Sequence, residues 1–261
     1  ERIEAAKRIK LVRHTPAEID EWNARLNAIY DPNALKPKRA LKPDERAFIT
    51  NETLLSVCDF RYWASNFCWF IRDPVSGGGL GRLEMWASQE IILTHIANLE
   101  EQMADAVKRG EPVDGILLAL HKARQLGATL LMRAITVHRI TTCSHIRALA
   151  GSIDDEKVLK LYERDKRIID NLPWWLAPSR HSDDMYDEKA AHVIFRKLDS
   201  SLLYQELVQR TGIGLGEQYD LGHLTEVASV DIGTSLQHDF FPTIPQAARV
   251  FHALETTAQG R

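Results

Sequence analysis

Hydrophobic residues recur along the chain at the two spacings that distinguish helices from strands. Helical spacing follows the capping sequence Thr15-Pro16-Ala17-Glu18 and returns over residues 88–107 and 152–171. An apolar run at 116–120 has the length of a buried strand, and a second apolar helix begins near Thr129. Shorter strand patterns lie at 67–71, 82–86, 145–150, 192–197, 202–208, 219–225 and 248–254. Strands that alternate with helices predict an α/β protein with a mainly parallel, doubly wound sheet.

Composition narrows the class of protein. The 261 residues are 44% hydrophobic and 26% charged, which is enough for a large buried core in a single α/β unit. The formal net charge is −3, and proteins that coat nucleic acid are usually basic, so any contact with DNA must be a local patch. No apolar stretch has the length of a membrane span. Three scattered cysteines without a CxxC pair argue against a zinc ribbon or a disulfide framework and suit a reducing cytoplasm: Cys58, Cys68 and Cys143.

The first 50 residues differ in pattern from the rest. They predict a helical N-terminal extension and then a basic linker, because prolines alternate with Lys and Arg over 31–46. A solvated linker is a simpler interpretation of this stretch than a DNA-binding arm. We expect residues 51–261 to form the main domain.

The segment between the 116–120 strand and the following helix resembles a phosphate-binding loop with a displaced lysine. The common pattern is Gly, four residues, Gly-Lys, then Ser or Thr. With Gly127 and Thr129 aligned to its end, Ala128 takes the lysine position and Lys122 takes the first glycine position. An ammonium on either limb of such a loop could reach phosphate, and the N–H groups of 126–129 would face phosphate at a helix N-terminus. An ordinary strand-to-helix turn is the alternative.

A phosphate loop requires a second strand that delivers an acid. Residues 219–226 are the best candidate, and Glu226 would orient and deprotonate the attacking water. Thr225 stands where a metal-binding Asp is common, and its hydroxyl can still hold a Mg²⁺-bound water, but without charge. A third strand runs into Thr256 and Thr257, whose hydroxyls could report hydrolysis from beside the γ-phosphate.

Four segments together resemble the ATPase domain of the large terminase subunit, the DNA-packaging motor of tailed bacteriophages. Lys122-Ala123-Arg124-Gln125-Leu126-Gly127-Ala128-Thr129 is similar to the family's variant loop, in which lysine lies at the front. His223-Leu224-Thr225-Glu226-Val227-Ala228 resembles its acidic strand, and Leu254-Glu255-Thr256-Thr257-Ala258-Gln259-Gly260 resembles its coupling motif. Trp86-Ala87-Ser88-Gln89 is similar to the segment whose glutamine reads adenine. The four lie in the family's order across residues 55–261.

The resemblance implies a P-loop NTPase of the ASCE type that hydrolyses ATP with Mg²⁺ to translocate double-stranded DNA into a procapsid. It implies nucleotide contacts from Gln89, Lys122, Arg124, Gln125, Leu126, Gly127, Ala128, Thr129 and Leu130. It implies catalytic roles for Lys122, Arg124 and Glu226. It implies metal contacts from Thr129, Thr225 and Glu226, and coupling through Glu255, Thr256 and Thr257. In this scheme Gln89 meets the edge of adenine.

The resemblance also implies partners. These are the portal protein, the small terminase subunit and further copies in a homo-oligomeric ring that docks transiently on the procapsid in the host cytoplasm. The chain stops at Arg261, just after the coupling motif, where the family's nuclease domain normally follows. We therefore expect an ATPase portion without the nuclease, monomeric by itself. An arginine is thought to act between subunits of the ring, and the sequence leaves three candidates open: Arg133, Arg139 and Arg147.

Two other functions compete. One is a helicase-like, nucleic-acid-dependent ATPase outside a virus. The other is a non-catalytic module that binds nucleotide for an interaction, a possibility favoured by the uncharged Thr225 and Ala128. His181, Asp183 and Asp184 do not have the spacing of a tetrahedral metal site, so we expect a polar loop there.

Overall fold

The computed structural model describes residues 11–72, 78–111, 115–122, 126–177, 192–207, 218–226 and 251–257, with the backbone alone for Lys122 and residues 251–257. Its helices are α1 (Pro16–Ala28), α2 (Pro43–Cys58), α3 (Phe60–Phe67), α4 (Ala87–Lys108), α5 (Ala128–Thr142) and α6 (Asp155–Asp170). Its strands are β1 (Tyr30–Asp31), β2 (Lys36–Pro37), β3 (Trp69–Ile71), β4 (Leu80–Arg82), β5 (Ile116–Lys122), β6 (Arg147–Ser152), β7 (His192–Phe195), β8 (Ser200–Glu206), β9 (Leu221–Thr225) and β10 (Phe251–Thr257).

A sheet in the order β5-β10-β9-β6-β8-β7 forms the centre of the fold. Neighbouring strands from β5 to β8 in that order run parallel, and β7 runs antiparallel at the edge. Continuous apolar runs such as Ala148-Leu149-Ala150 are fully buried, as expected where both faces of a parallel sheet are covered. The predicted α/β class is confirmed, with a mixed sheet. The doubly wound arrangement stays a prediction, because residues 208–217 and 227–250, which join β8 to β9 and β9 to β10, lie outside the described residues.

Helices α5 and α6 pack against each other and share contacts with β6 and β8, so they cover the same face of the sheet. A buried ionic group joins them to the strands. Arg133 Nε lies 3.0 Å from Asp165 Oδ1, and Tyr204 donates its hydroxyl hydrogen to Asp165 Oδ2 at 2.7 Å. Both charged side chains are fully buried, so removal of one would leave the other uncompensated in the core.

The N-terminal helices belong to the same hydrophobic core as the sheet. Ile19 and Leu26 of α1 and Phe48 of α2 are buried in one cluster with Ala148 of β6. Helix α2 begins at Pro43 and continues through the predicted boundary at residue 50. The stretch predicted to be an extended linker holds the β1–β2 hairpin and the first turn of α2.

Arg39, a cation of the predicted linker, forms an ion pair with a carboxylate that is buried in the core. Glu45, fully buried, accepts hydrogen bonds from both terminal nitrogens of Arg39 and from the Lys42 N–H. Among the described residues, no helix is both long and apolar enough to cross a membrane.

His138 is buried where α5 meets α3. Its ring lies edge-on to Phe60 and Trp63, with centroids 5.3 Å and 5.0 Å away. Its Nε2 lies 2.6 Å from the carbonyl oxygen of Ser56, and the neutral ring can donate this hydrogen bond. Burial lowers the pKa of His138 to about 4.

This shift predicts acid sensitivity. In the unfolded chain a histidine has a pKa near 6.5, so below that pH the unfolded state takes up a proton that the fold does not. The free energy of unfolding should therefore fall by about 3 kcal/mol as the pH decreases from roughly 6.5 through 4. Urea denaturation of His138→Gln should show a smaller fall over this window. The exposed His95→Gln is the control, and equal pH profiles for all three proteins would contradict the assignment.

Candidate functional site

Three sequence motifs meet at one edge of the sheet. Strand β10 lies between β5 and β9, and all three are parallel, so their carboxyl ends lie at the same edge. The register pairs Lys122 with Thr257 and Glu255 with Thr225. In open parallel sheets, ligands bind outside the carboxyl ends of the strands. The predicted loop, acidic strand and coupling strand are therefore adjacent where a ligand is expected.

The loop enters α5 through a left-handed residue. Gly127 is the N-cap of α5 with φ 69°. A Cβ at this position would lie 2.6 Å from Gln89 Nε2, so both the backbone conformation and the space favour glycine. Beyond it, Ala128 is buried, and Thr129 and Leu130 are partly buried in the first turn of α5. The strand, loop and helix follow one another as the motif requires.

Some predicted loop residues cannot be placed. Arg124 and Gln125 lie outside the described residues, and for Lys122 only the backbone is described. Lys122 is the last residue of β5, at the edge where the strand ends meet.

The N-terminus of α4 holds the end of the loop. Ser88 Oγ donates to the carbonyl oxygen of Leu126 at 3.2 Å, and Gln89 Nε2 donates to that of Gly127 at 2.9 Å. The other end of the Gln89 amide accepts from the Trp86 N–H at 2.9 Å, which closes the first turn of α4. The sequence drew attention to Gln89 but missed Ser88, whose only signal was its place beside Gln89.

The predicted adenine contact of Gln89 stays a prediction. Its side chain is 1% exposed and both ends of its amide are hydrogen-bonded within the protein. A contact with a base would therefore require Gln89 to exchange one of these bonds or to share it.

Glu226 follows β9 in an unusual conformation. It has φ 60°, which is uncommon for a residue with a side chain and recurs at functional sites. Thr225, just before it, is buried. The Glu226 carboxylate is partly exposed, and its Oε2 lies 2.5 Å from Nζ of Lys157 in the first turn of α6. Asp154, the N-cap of α6, accepts from the Lys157 N–H at 2.8 Å and so fixes the start of this helix.

Lys157 was not predicted to belong to the site. It precedes Glu226 by 69 residues on another element, so no sequence spacing could have indicated the pair. The ion pair with Lys157 restricts how the Glu226 carboxylate can act. One oxygen of Glu226 is occupied by the ammonium, which leaves the other carboxylate oxygen as the one that would accept a proton from water.

The donor set fits Mg²⁺ that arrives with a nucleotide. Thr129, Thr225 and Glu226 offer two hydroxyls and one carboxylate. Within the described ranges there is no group of three His, Cys, Asp or Glu side chains that could hold a metal ion. Nucleotide hydrolases usually hold Mg²⁺ through phosphate oxygens, waters and only one or two protein oxygens. The proposed coupling residues, Glu255 to Thr257, pair along the backbone with the last three residues of β5. They therefore lie at the same end of the sheet.

The three arginines considered for a role between subunits occupy different environments. Arg133 was a wrong candidate, because its guanidinium is fully buried and paired with Asp165 inside the subunit. Arg139 forms an ion pair with Glu100 of α4 and is partly exposed. Arg147 is exposed. It is the first residue of β6, so it lies at the opposite end of the sheet from the candidate site.

No protein-family model matches the sequence, and no curated protein matches it. Similar solved structures include two large terminases. The crystal structure of the HK97 bacteriophage large terminase has a TM-score of 0.43 and 11% identity, over 91% of this chain and 37% of the terminase. An ATPase-domain mutant of the Thermus phage P74-26 large terminase has a TM-score of 0.39 and 11% identity, over 55% of this chain and 60% of that one.

Both similar structures are of the kind of protein that the four motifs resemble. The chain spans less than two thirds of the length of either. Since both TM-scores are below 0.5, we infer the function from the site itself.

The geometry at Gly127 generates a prediction. Gly127→Ala should weaken nucleotide binding by roughly tenfold or more, because the new Cβ meets the Gln89 amide and displaces the loop that this amide holds. Titration with a fluorescent ATP analogue measures the change.

Gly110→Ala is the matched control. Gly110 has φ 75° and open space where a Cβ would lie, so it carries the same backbone strain without the contact. Both variants should lose roughly 1 to 2 kcal/mol of stability, and only Gly127→Ala should lose affinity. Equal affinities of the two variants would contradict the role of the loop.

Proposed function

We propose that the chain is an ATPase domain that binds Mg²⁺-ATP at the joined ends of β5, β9 and β10. The observation that supports this best is the strand register, which brings Lys122, Thr257 and Thr225 to one edge although the sequence separates them widely. The arrangement matches the needs of phosphoryl transfer, in which positioning and electrostatic stabilisation perform most of the catalysis.

The loop would hold the phosphates. The first turn of α5 follows the loop directly, so the positive end of the helix dipole lies at the loop, where it would favour phosphate. Lys122 would supply the ammonium, with Arg124, Gln125 and Leu126 completing the loop and Leu130 packing behind it. Thr129 and Thr225 would offer hydroxyls to Mg²⁺ or its waters, and the bound metal would neutralise charge on the phosphate oxygens.

Glu226 would act as the general base. It follows β9 directly with a left-handed backbone, and its carboxylate is partly exposed to water. The ion pair with Lys157 holds one carboxylate oxygen and leaves the other for the water. A nucleotide could open it, because phosphate oxygens offer Lys157 an alternative partner.

The finer biological role follows the sequence resemblance. We propose that hydrolysis drives double-stranded DNA into a procapsid in the host cytoplasm, in a ring with a portal protein and a small terminase subunit. Glu255, Thr256 and Thr257 would couple hydrolysis to movement, since β10 lies between the loop strand and the acidic strand. With a formal net charge of −3, each subunit would contribute only a small contact to DNA, and a ring would add many such contacts.

A non-hydrolysing nucleotide-binding module is the second candidate. It is favoured by the uncharged, buried Thr225 and by the ion pair that occupies Glu226. Both candidates require nucleotide binding, and only the first requires turnover.

Two substitutions separate binding from chemistry. Glu226→Gln keeps the shape of the side chain and removes its basicity, so it should bind ATP normally and slow turnover by roughly a hundredfold or more. Lys122→Ala removes a charge-assisted contact and should weaken ATP binding by roughly ten- to a hundredfold. Phosphate release with DNA present, together with ATP affinity, measures both.

Lys160→Ala is the control for loss of a lysine. Lys160 lies on α6 near Lys157 but pairs with Glu156 on an exposed surface, so its removal should change neither quantity. Normal turnover by Glu226→Gln would show that another residue is the base. ATP binding without turnover by the unsubstituted chain, with DNA and partner subunits present, would favour the non-hydrolysing module.

A further inference from the structure

Trp86 differs from the other tryptophans of the chain. It is the one exposed tryptophan of the six, with 51% of its surface open to solvent. Others are packed against aromatic rings, as Trp22 is on Phe48 and Trp174 is on Tyr30, at centroid distances of 4.6 Å and 4.7 Å. Trp86 makes no ring contact with a described residue. An aromatic ring left open in this way offers a face on which a planar group can stack.

The open ring lies against the candidate phosphate loop. The Cε3 atom of Trp86 is 3.4 Å from the point where a Cβ of residue 127 would lie. One edge of the indole therefore lies beside Gly127, close enough to contact a side chain there, and half of the residue's surface remains open to solvent. Leu126, the preceding loop residue, is also exposed. An aromatic and apolar surface thus adjoins the residues proposed to hold phosphate.

The backbone that carries the indole is fixed beside the loop. The main-chain N–H of Trp86 donates to Gln89 Oε1, and the other end of the same amide holds the carbonyl of Gly127. Ser88 holds the carbonyl of Leu126. The first turn of α4 thereby fixes the backbone of Trp86 and the loop relative to each other, so only the side-chain rotation of the indole remains to be ordered when a ligand binds both.

We propose that the indole of Trp86 is the surface on which the base of the bound nucleotide stacks, while Ser88 and Gln89 position the loop beside it. This inference rests on the proposed nucleotide-binding function. Stacking on an aromatic face tolerates any base, because every base has a π face. The triphosphate would therefore bind through the loop and the base through Trp86, with little discrimination between adenine and guanine by the indole.

Three ligands test the proposal: ATP, GTP and inorganic tripolyphosphate, which carries the phosphates without a base. Trp86→Ala should weaken binding of ATP and GTP by roughly five- to a hundredfold and leave the affinity for tripolyphosphate unchanged. Trp86→Phe should retain most of the affinity for both nucleotides, because it keeps an aromatic face. Calorimetry in the presence of Mg²⁺ measures all the affinities.

Ile91→Ala is the matched control. Ile91 is on the same helix and is 71% exposed, so this variant also removes an open apolar side chain but away from the loop contact. It should bind all three ligands as the unsubstituted chain does. Fluorescence gives a second readout: ATP should quench tryptophan emission, tripolyphosphate should not, and the quenching should disappear in Trp86→Phe.

Each outcome decides the proposal. Equal weakening of all three ligands by Trp86→Ala would show that the indole only supports the loop, and unchanged nucleotide binding would show that the base lies elsewhere. Either result overturns the role of Trp86 and leaves the proposed function intact. Failure of the unsubstituted chain to bind any of the three ligands would overturn the proposed function and this inference with it.

Discussion

The parallel register of three strands is the constraint on which the site depends. Strand β10 pairs on both sides, with Thr257 opposite Lys122 and Glu255 opposite Thr225. A shift by one residue would turn every side chain of β10 to the other face and move the strand ends apart. Burial of the apolar strands β6 and β9 opposes such a shift, so the same interactions that build the core also align the candidate site.

The elements with strong local signals were predictable from the sequence. The capping box at Thr15 and Glu18 forms as expected, and the apolar run at 116–120 became β5, an edge strand in which Ile116 and Leu118 are buried and Leu117 is exposed. The boundary near residue 50 could not be located, since whether a polar, proline-bearing segment joins a core depends on partners far along the chain. Phe48 illustrates this, because its ring meets that of Trp175 at a centroid distance of 5.6 Å.

The site was predictable in its motifs and unpredictable in its contacts. Gly127 and Glu226 carried local signals, a loop pattern and a strand ending in an acid. Lys157 carried none, and Ser88 carried only its place beside Gln89, because their partners lie on other elements and only the fold brings them together. In the resulting site, α4 holds the loop through hydrogen bonds, and α6 holds the Glu226 carboxylate through the ion pair with Lys157. A ligand that binds between strands β5 and β9 could therefore affect two helices that the sequence places far apart.

Hydrogen exchange with and without a non-hydrolysable Mg²⁺-ATP analogue tests most directly whether the three strand ends form one nucleotide site. Backbone amides exchange more slowly when a ligand stabilises or covers them. The account predicts slower exchange in three separate segments at the same ligand concentration: 126–130, 225–226 and 255–257. Exchange in α2 should not change. Protection of only one of the three segments, with the ligand shown to be bound, would contradict the account.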